Sequence, residues 1–216
     1  MRPTAEALAR VGARCQLPTA ARVSDDVPAW RDWPRLLQEA LAPTADAIVV
    51  GHSAGGLLAA HLAASIGARA LVCLDAAMPP ASGPTPPAEP WFYELVQRLP
   101  VSGGRLPRWH RWWGGDALAT TSLAAELKAA FVEQLPELRL DWFDDGFEMP
   151  DWSHCQKHFI RTSKVFDAEA DRAEQLGWNV LRIDGTHLHP TLRPDETAAA
   201  LLDLARANRV PAATAC

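Results

Sequence analysis

In this chain of 216 residues, the run Gly51-His52-Ser53-Ala54-Gly55 carries the strongest chemical signal. It matches G-x-S-x-G. It also falls where a short apolar run with β-branched residues, Ala45 to Gly51, gives way to an alanine- and leucine-rich helical pattern from Ala54 to Ile66. That strand-to-helix setting is the one in which the motif lifts a serine hydroxyl on a sharp turn. Gly51 and Gly55 are expected to clear side chains that would collide with neighbouring backbone. The helix points its positive end at Ser53, where negative charge develops if the hydroxyl attacks a carbonyl. The backbone N–H of Ala54 is the natural oxyanion donor. The plainer alternative is a glycine-rich turn with an incidental serine, and the flanking strand and helix weigh against it.

The elements that must position Ser53 can be read along the chain. Thr4 to Val11 has helical spacing and stops at Gly12. Ala13 to Leu17 suits a short strand, and Val27 to Leu41 a helix with Pro34 near its start. Ala45–Gly51 reads as a strand buried on both faces, Ala54–Ile66 as a helix ended by Gly67, and Ala70–Leu74 as a second buried strand ending at Asp75. Strand, helix and strand within this span form a parallel βαβ unit. Pro79 to Pro90 holds six prolines and reads as a connector. Between Trp91 and Cys155 lie Trp91, Trp109, Trp112, Trp113, Trp142 and Trp152, six of the nine tryptophans, and Leu118–Leu135 is the best helix there. Strand texture resumes at Lys157–Arg161. A helix over Asp167–Leu176, a strand over Asn179–Ile183 and a closing helix over Pro194–Ala207 follow. The fold class is α/β: a mostly parallel sheet flanked by helices. Residues 1–78 and 156–216 form the core, and 79–155 a connector and helical cap or lid.

Composition narrows the function classes. Hydrophobic residues make up 48% and charged residues 22% of the 23.5 kDa chain, which excludes disordered and fibrous classes. No run approaches the roughly 18 apolar residues of a membrane span, and the N-terminus lacks the apolar core of a signal peptide. The net charge of −5 with scattered basic residues argues against a nucleic-acid surface. Cys15, Cys73, Cys155 and Cys216 form no CxxC pair, so no zinc or thioredoxin-like motif is present. Free thiols without an export signal favour the cytoplasm.

The motif at Gly51–Gly55 and the ending Gly185-Thr186-His187-Leu188-His189-Pro190-Thr191-Leu192-Arg193-Pro194 resemble the α/β-hydrolase superfamily, over about Thr4 to Ala207. The Trp-rich cap and the ending resemble uncharacterised actinobacterial-type members. The resemblance implies a nucleophile elbow at Ser53, a base histidine after the last strand, and a lid where 79–155 lies. His187 holds the family spacing to Pro194 and is the expected base. His189, two residues on and pointing the opposite way, is the runner-up. For the acid, the family position after the post-cap strand falls near Val165, and Asp167 is slightly late and suits an N-cap. Asp75 ends the strand after the nucleophile helix, where some members place the acid, and is favoured over Asp167. Either carboxylate would fix the histidine tautomer and stabilise the imidazolium.

One family feature is missing. The strand whose loop supplies a second oxyanion N–H, marked by His-Gly or Gly-Gly, is not seen before Ser53. Either the native start lies upstream of Met1, or the strand near Cys15 pairs directly with the one at Ile48. Losing one oxyanion donor costs about a hundred- to thousandfold in kcat.

Other residues receive lesser roles. His52, beside the nucleophile, is expected to pack or to line the substrate site with Trp109, Trp112 and Trp113. His61 reads as structural. His154 and His158 would suit a metal only on a helix, which Pro150 opposes, so no metal and no organic cofactor is expected. The expected activity is a serine hydrolase cleaving an ester or related acyl bond of a small apolar molecule. A hydroxynitrile-lyase-like use of the site and a non-catalytic binding protein are the alternatives. A homodimer through an exposed sheet edge is compatible with the sequence.

Overall fold

The structure, a computed structural model, describes residues 1–18, 27–42 and 46–207. Its elements are α1 (Arg2–Arg10), α2 (Trp33–Glu39), β1 (Ile48–Ser53), α3 (Gly55–Ile66), β2 (Ala70–Ala76), β3 (Gly83–Thr85), α4 (Pro90–Gln97), α5 (Ala125–Glu133), β4 (Phe147–Met149), β5 (Gln156–Arg161), α6 (Asp167–Gln175), β6 (Asn179–Arg182), α7 (His189–Leu192) and α8 (Pro194–Ala207). The main sheet has the order β1-β2-β5-β6, and every pairing in it is parallel.

Alternation along the strands sorts the core into two layers. Leu71, Cys73 and Phe159 pack with Leu57 and Leu58 of α3, Ala170 and Ala173 of α6, and Trp30 and Leu37. Val72, Leu74 and Ile160 face the other way, against Leu201 of α8 and Leu8 of α1. Successive strand residues point to opposite faces, so β2 needs apolar residues at every position, and all of it is buried. The cost of the Cys73 thiolate there pushes that thiol up to about 12, which leaves it an inert small core residue.

Several boundaries differ from the sequence expectation. Of the run expected as a strand over Ala45–Gly51, Ile48 onward forms β1 and Ala45 lies outside the described residues; β1 is only half-buried, because β2 is its one partner among the described residues. The short strand expected over Ala13–Leu17 does not form, and so neither, among the described residues, does the alternative of its direct pairing with Ile48. The helix expected from Val27 to Leu41 begins as a 3-10 turn at Trp30–Asp32 before α2, with Pro34 near its start. Only Ala125–Glu133 of the Leu118–Leu135 stretch is α-helical, and none of those residues is buried. Without a face to pack against, propensity alone sustains a short helix.

Residues 79–155 leave the sheet after β2 and return at β5. Their two ends are tied by the antiparallel β3–β4 pair, with Gly83 opposite Met149 and Thr85 opposite Phe147. Between them Val96, Leu106, Trp112 and Phe143 form a separate small cluster. No helix among the described residues is long and apolar enough to cross a membrane. Cys216 lies outside the described residues, and Cys15, Cys73 and Cys155 are free thiols.

Candidate active site

The turn from β1 into α3 holds Ser53 at φ 59°, the left-handed region that non-glycine residues avoid. Such a residue stores about 1–3 kcal/mol and persists only where its surroundings over-determine it. Here they do. A Cβ on Gly51 would run into the Gly55 carbonyl, Ala59 Cβ at 2.6 Å and Gly56 Cα at 2.7 Å. The second indispensable glycine is Gly56, where a Cβ would stand 2.5 Å from the Ala77 carbonyl and 2.9 Å from Ala76 Cβ. Gly55 corrects the sequence expectation: its Cβ position is open, so the turn does not require glycine there. Ser53 is half-buried and Ala54 exposed at the head of α3.

The neighbouring strand bends at the same level. The β1–β2 register runs His52 to Leu74 and then Ser53 to Ala76, which skips Asp75. Asp75 takes φ 45°, and a bulge of this kind re-aims a side chain at a strand end. The re-aimed carboxylate is fully enclosed and collects four donors. Thr162 N and Ser163 N donate to Oδ1, each at 2.8 Å, and Ser163 Oγ donates to Oδ2 at 2.6 Å. His187 Nδ1 lies 2.8 Å from Oδ2. Burial alone would raise the Asp75 pKa, but the bonds from His187, Ser163 and Thr162 together outweigh it and hold the carboxyl below its ordinary range. A carboxylate accepts, so His187 Nδ1 carries the hydrogen and Nε2 presents its lone pair.

The loop after β6 is fixed from several sides. Thr162 Oγ1 donates to Thr186 O at 3.0 Å, and Thr4 Oγ1 of α1 donates to Pro190 O at 2.5 Å. His189 is 4% exposed, sits hard against Gly185, and places Nε2 3.4 Å from Glu196. The runner-up base therefore faces the protein interior. Asp167, the runner-up acid, opens α6 and pairs with Arg161 at 2.9 Å rather than with a histidine.

Three rings surround His187. His52 stacks on it at 4.5 Å between centroids and Phe166 at 5.3 Å, while Trp109 lies tilted at 6.1 Å. His52, expected to pack or to line the substrate site, places Nε2 2.9 Å from the His187 carbonyl oxygen. Trp112 is a correction: only 6% exposed, it is core of the 79–155 cluster, with its Nε1–H donated to Pro107 O. Trp113, 42% exposed, remains at the surface beside Trp109. No hydrogen bond joins Ser53 Oγ to the His187 ring. Among the described residues no group of three or more His, Cys, Asp or Glu side chains is placed to hold a metal ion.

Sequence reasoning missed Thr162, Ser163, Phe166 and Gly56. The run Arg161-Thr162-Ser163 at a strand end was the available signal: free backbone N–H groups at a strand terminus, next to a hydroxyl, suit a buried carboxylate.

The model of the alpha/beta hydrolase family matches residues 9–200. The chain belongs to the alpha/beta hydrolase family. Hydrolysis is the activity class that this membership assigns. Among solved structures, the chain is similar to a mutant of polyneuridine aldehyde esterase (17% identity, TM-score 0.61, covering 94% of this chain and 92% of that one). It is also similar to a pyrethroid hydrolase from Sphingobium faniae JZ-2 (20% identity, TM-score 0.64, covering 96% and 92%). At these identities the likeness establishes the fold. No protein of curated function matches the sequence.

Proposed function

We propose that this protein is a serine hydrolase that cleaves an ester or related acyl bond of a small, largely apolar molecule. The observation that carries the reading is the 2.8 Å bond between His187 Nδ1 and the enclosed Asp75 carboxylate, set beside a serine on a strained strand-to-helix turn. Structural triads of this kind are recognised by geometry and role. The esterase and the pyrethroid hydrolase that share the fold are consistent with it.

The steps follow from the tautomer. His187 Nε2 takes the Ser53 proton as Oγ attacks the acyl carbon, and the carbonyl oxygen gains negative charge. The Ala54 N–H and the positive end of α3 stabilise that oxyanion. Asp75 holds the imidazolium, and Phe166 offers it an aromatic face. As the intermediate collapses, the bond to the alcohol breaks and His187 protonates the leaving oxygen. Water, deprotonated by His187, then cleaves the acyl-enzyme and restores Ser53. Hydrogen bonds of this type are often long in the free enzyme and tighten with substrate. Residues 79–155 act as the cap, with Trp109 and Trp113 offering apolar surface to the substrate.

An active-serine fluorophosphonate tests the assignment. Wild type should label, and Ser53→Ala should not. Equal labelling of both, or labelling of neither, would overturn the hydrolase reading and leave a binding protein built on the same fold.

A further inference from the structure

We propose that His52 is a positioning residue for the base, fixing the height and tilt at which the His187 imidazole presents Nε2. The proposal rests on the reading of His187 as base. Two contacts carry it. His52 Nε2 lies 2.9 Å from the His187 main-chain oxygen. A carbonyl only accepts, so Nε2 carries the hydrogen, and this fixes His52 in one tautomer. The two rings also stack, with centroids 4.5 Å apart and planes inclined by 24°. His187 is thus gripped by its main chain and by a ring face, while Asp75 holds the Nδ1 edge at 2.8 Å. Nε2 is the nitrogen left for chemistry.

The arrangement answers a problem of distance along the chain. Ser53 and His187 are far apart in the sequence, yet a nucleophile and its base must meet within a fraction of an ångström. His52 is the residue beside Ser53, so the turn that lifts the hydroxyl also anchors the loop that carries the base. Any shift of that turn moves both partners together. His52 also stays uncharged. Its burial and then the nearness of His187 push it down to about 3, and Asp75 and the Met1 amino group are the other charges that reach it. A neutral ring does not oppose the imidazolium that forms beside it.

Two substitutions separate the contacts. His52→Phe keeps a ring face and deletes the donor. His52→Gln keeps an amide N–H at the right reach. With p-nitrophenyl butyrate, His52→Phe should lose roughly tenfold to a hundredfold in kcat with KM within about threefold, because small misplacements of a reacting group carry costs of that order. His52→Gln should stay within about fivefold of wild type. The low-field proton resonance of the Asp75–His187 bond should be sharp in wild type and His52→Gln and broadened in His52→Phe. Wild-type kcat in His52→Phe, or an unchanged resonance there, overturns the proposal. If wild type neither hydrolyses esters nor takes the fluorophosphonate, the hydrolase reading fails separately, and the resonance still reports whether His52 holds His187.

Discussion

Helix α3, behind Ser53, buries seven of its 12 residues, whereas α5, in the segment between β2 and β5, buries none. The first is wedged between the sheet and α2, and its alanines let it approach the strands closely. The second contributes no residue to the small cluster of Val96, Leu106, Trp112 and Phe143. The difference explains where strain is tolerated. Ser53 and Asp75 both take positive φ, and both stand at the ends of strands that α3 clamps. The 79–155 segment carries its positive φ values on glycines, which take them at no steric cost. A tightly packed half and a loosely packed half should therefore fail in different ways.

The largest separation should appear in the kinetics. Asp75→Asn leaves His187 with the wrong tautomer and turns an amide N–H toward donors, so kcat should fall about 10⁴-fold. Trp109→Leu should instead raise KM for a bulky apolar ester about tenfold and leave kcat within about threefold, since that ring offers surface rather than charge. Asp167→Asn, which loses only its pairing with Arg161, should leave kcat within about threefold as well. A collapse of kcat in Asp167→Asn with a mild Asp75→Asn would reverse the assignment of the acid.

Next in size is the response to a single methyl group. Gly51→Ala forces Cβ onto backbone that cannot move without shifting α3, so it should cost about 3 kcal/mol or more in urea unfolding. Gly115→Ala, in the other half, meets nothing within 4 Å and should be within about 0.5 kcal/mol of wild type. Gly55→Ala should resemble Gly115→Ala despite its place in the motif. A severe Gly55→Ala would show that the turn needs conformational freedom as well as space.

The sequence made the rigid half readable because its signals are redundant. Between Ile48 and Ala76, the β-branched run, the motif, the alanine-rich period and Gly67 all point to one strand-helix-strand unit. Asp75 was reachable because a charged residue closing an apolar strand has to be accounted for. The partners of Asp75 were not, because backbone N–H groups carry no residue type. His52 was placed as packing or lining, and the structure stacks it on the His187 ring. That its contact is with His187 depends on the loop after β6, which no local pattern describes. In 79–155 the patterns conflict: Trp112 and Trp113 look alike in sequence, yet one is core and the other surface. The Leu118–Leu135 period suggests a long helix, and a helix without a partner face forms only where local propensity suffices.

Paired leucines in the two helices separate buried from unpartnered faces. Leu58 of α3 is 7% exposed and Leu127 of α5 is 61% exposed. Leu58→Ala should cost about 2–4 kcal/mol through lost burial and the cavity left behind. Leu127→Ala should cost less than about 0.5 kcal/mol. A large cost at Leu127 would mean that α5 is covered in solution by something the isolated chain does not supply.

The last contrast is a slope with pH rather than a single difference. His52 is depressed from its ordinary value to about 3, chiefly by burial. Between about pH 3 and 6.5 the unfolded chain takes up a proton that the folded chain refuses. The stabilisation is therefore complete above about pH 6.5 and is lost as the pH falls, at up to about 1.4 kcal/mol per pH unit. Burial likewise depresses His61, His110 and His158, so each adds a slope of the same sign. Asp75, held low, contributes stability that is lost only below its unfolded range, near pH 4 and under. Thermal unfolding of wild type, His52→Phe and His110→Phe across this window separates the two halves once more. The His52 substitution should flatten the curve more than the one at His110. Equal flattening would place the buried histidine of 79–155 under the same desolvation as the one beside Ser53, and the contrast between a tight half and a loose half would not hold for charge.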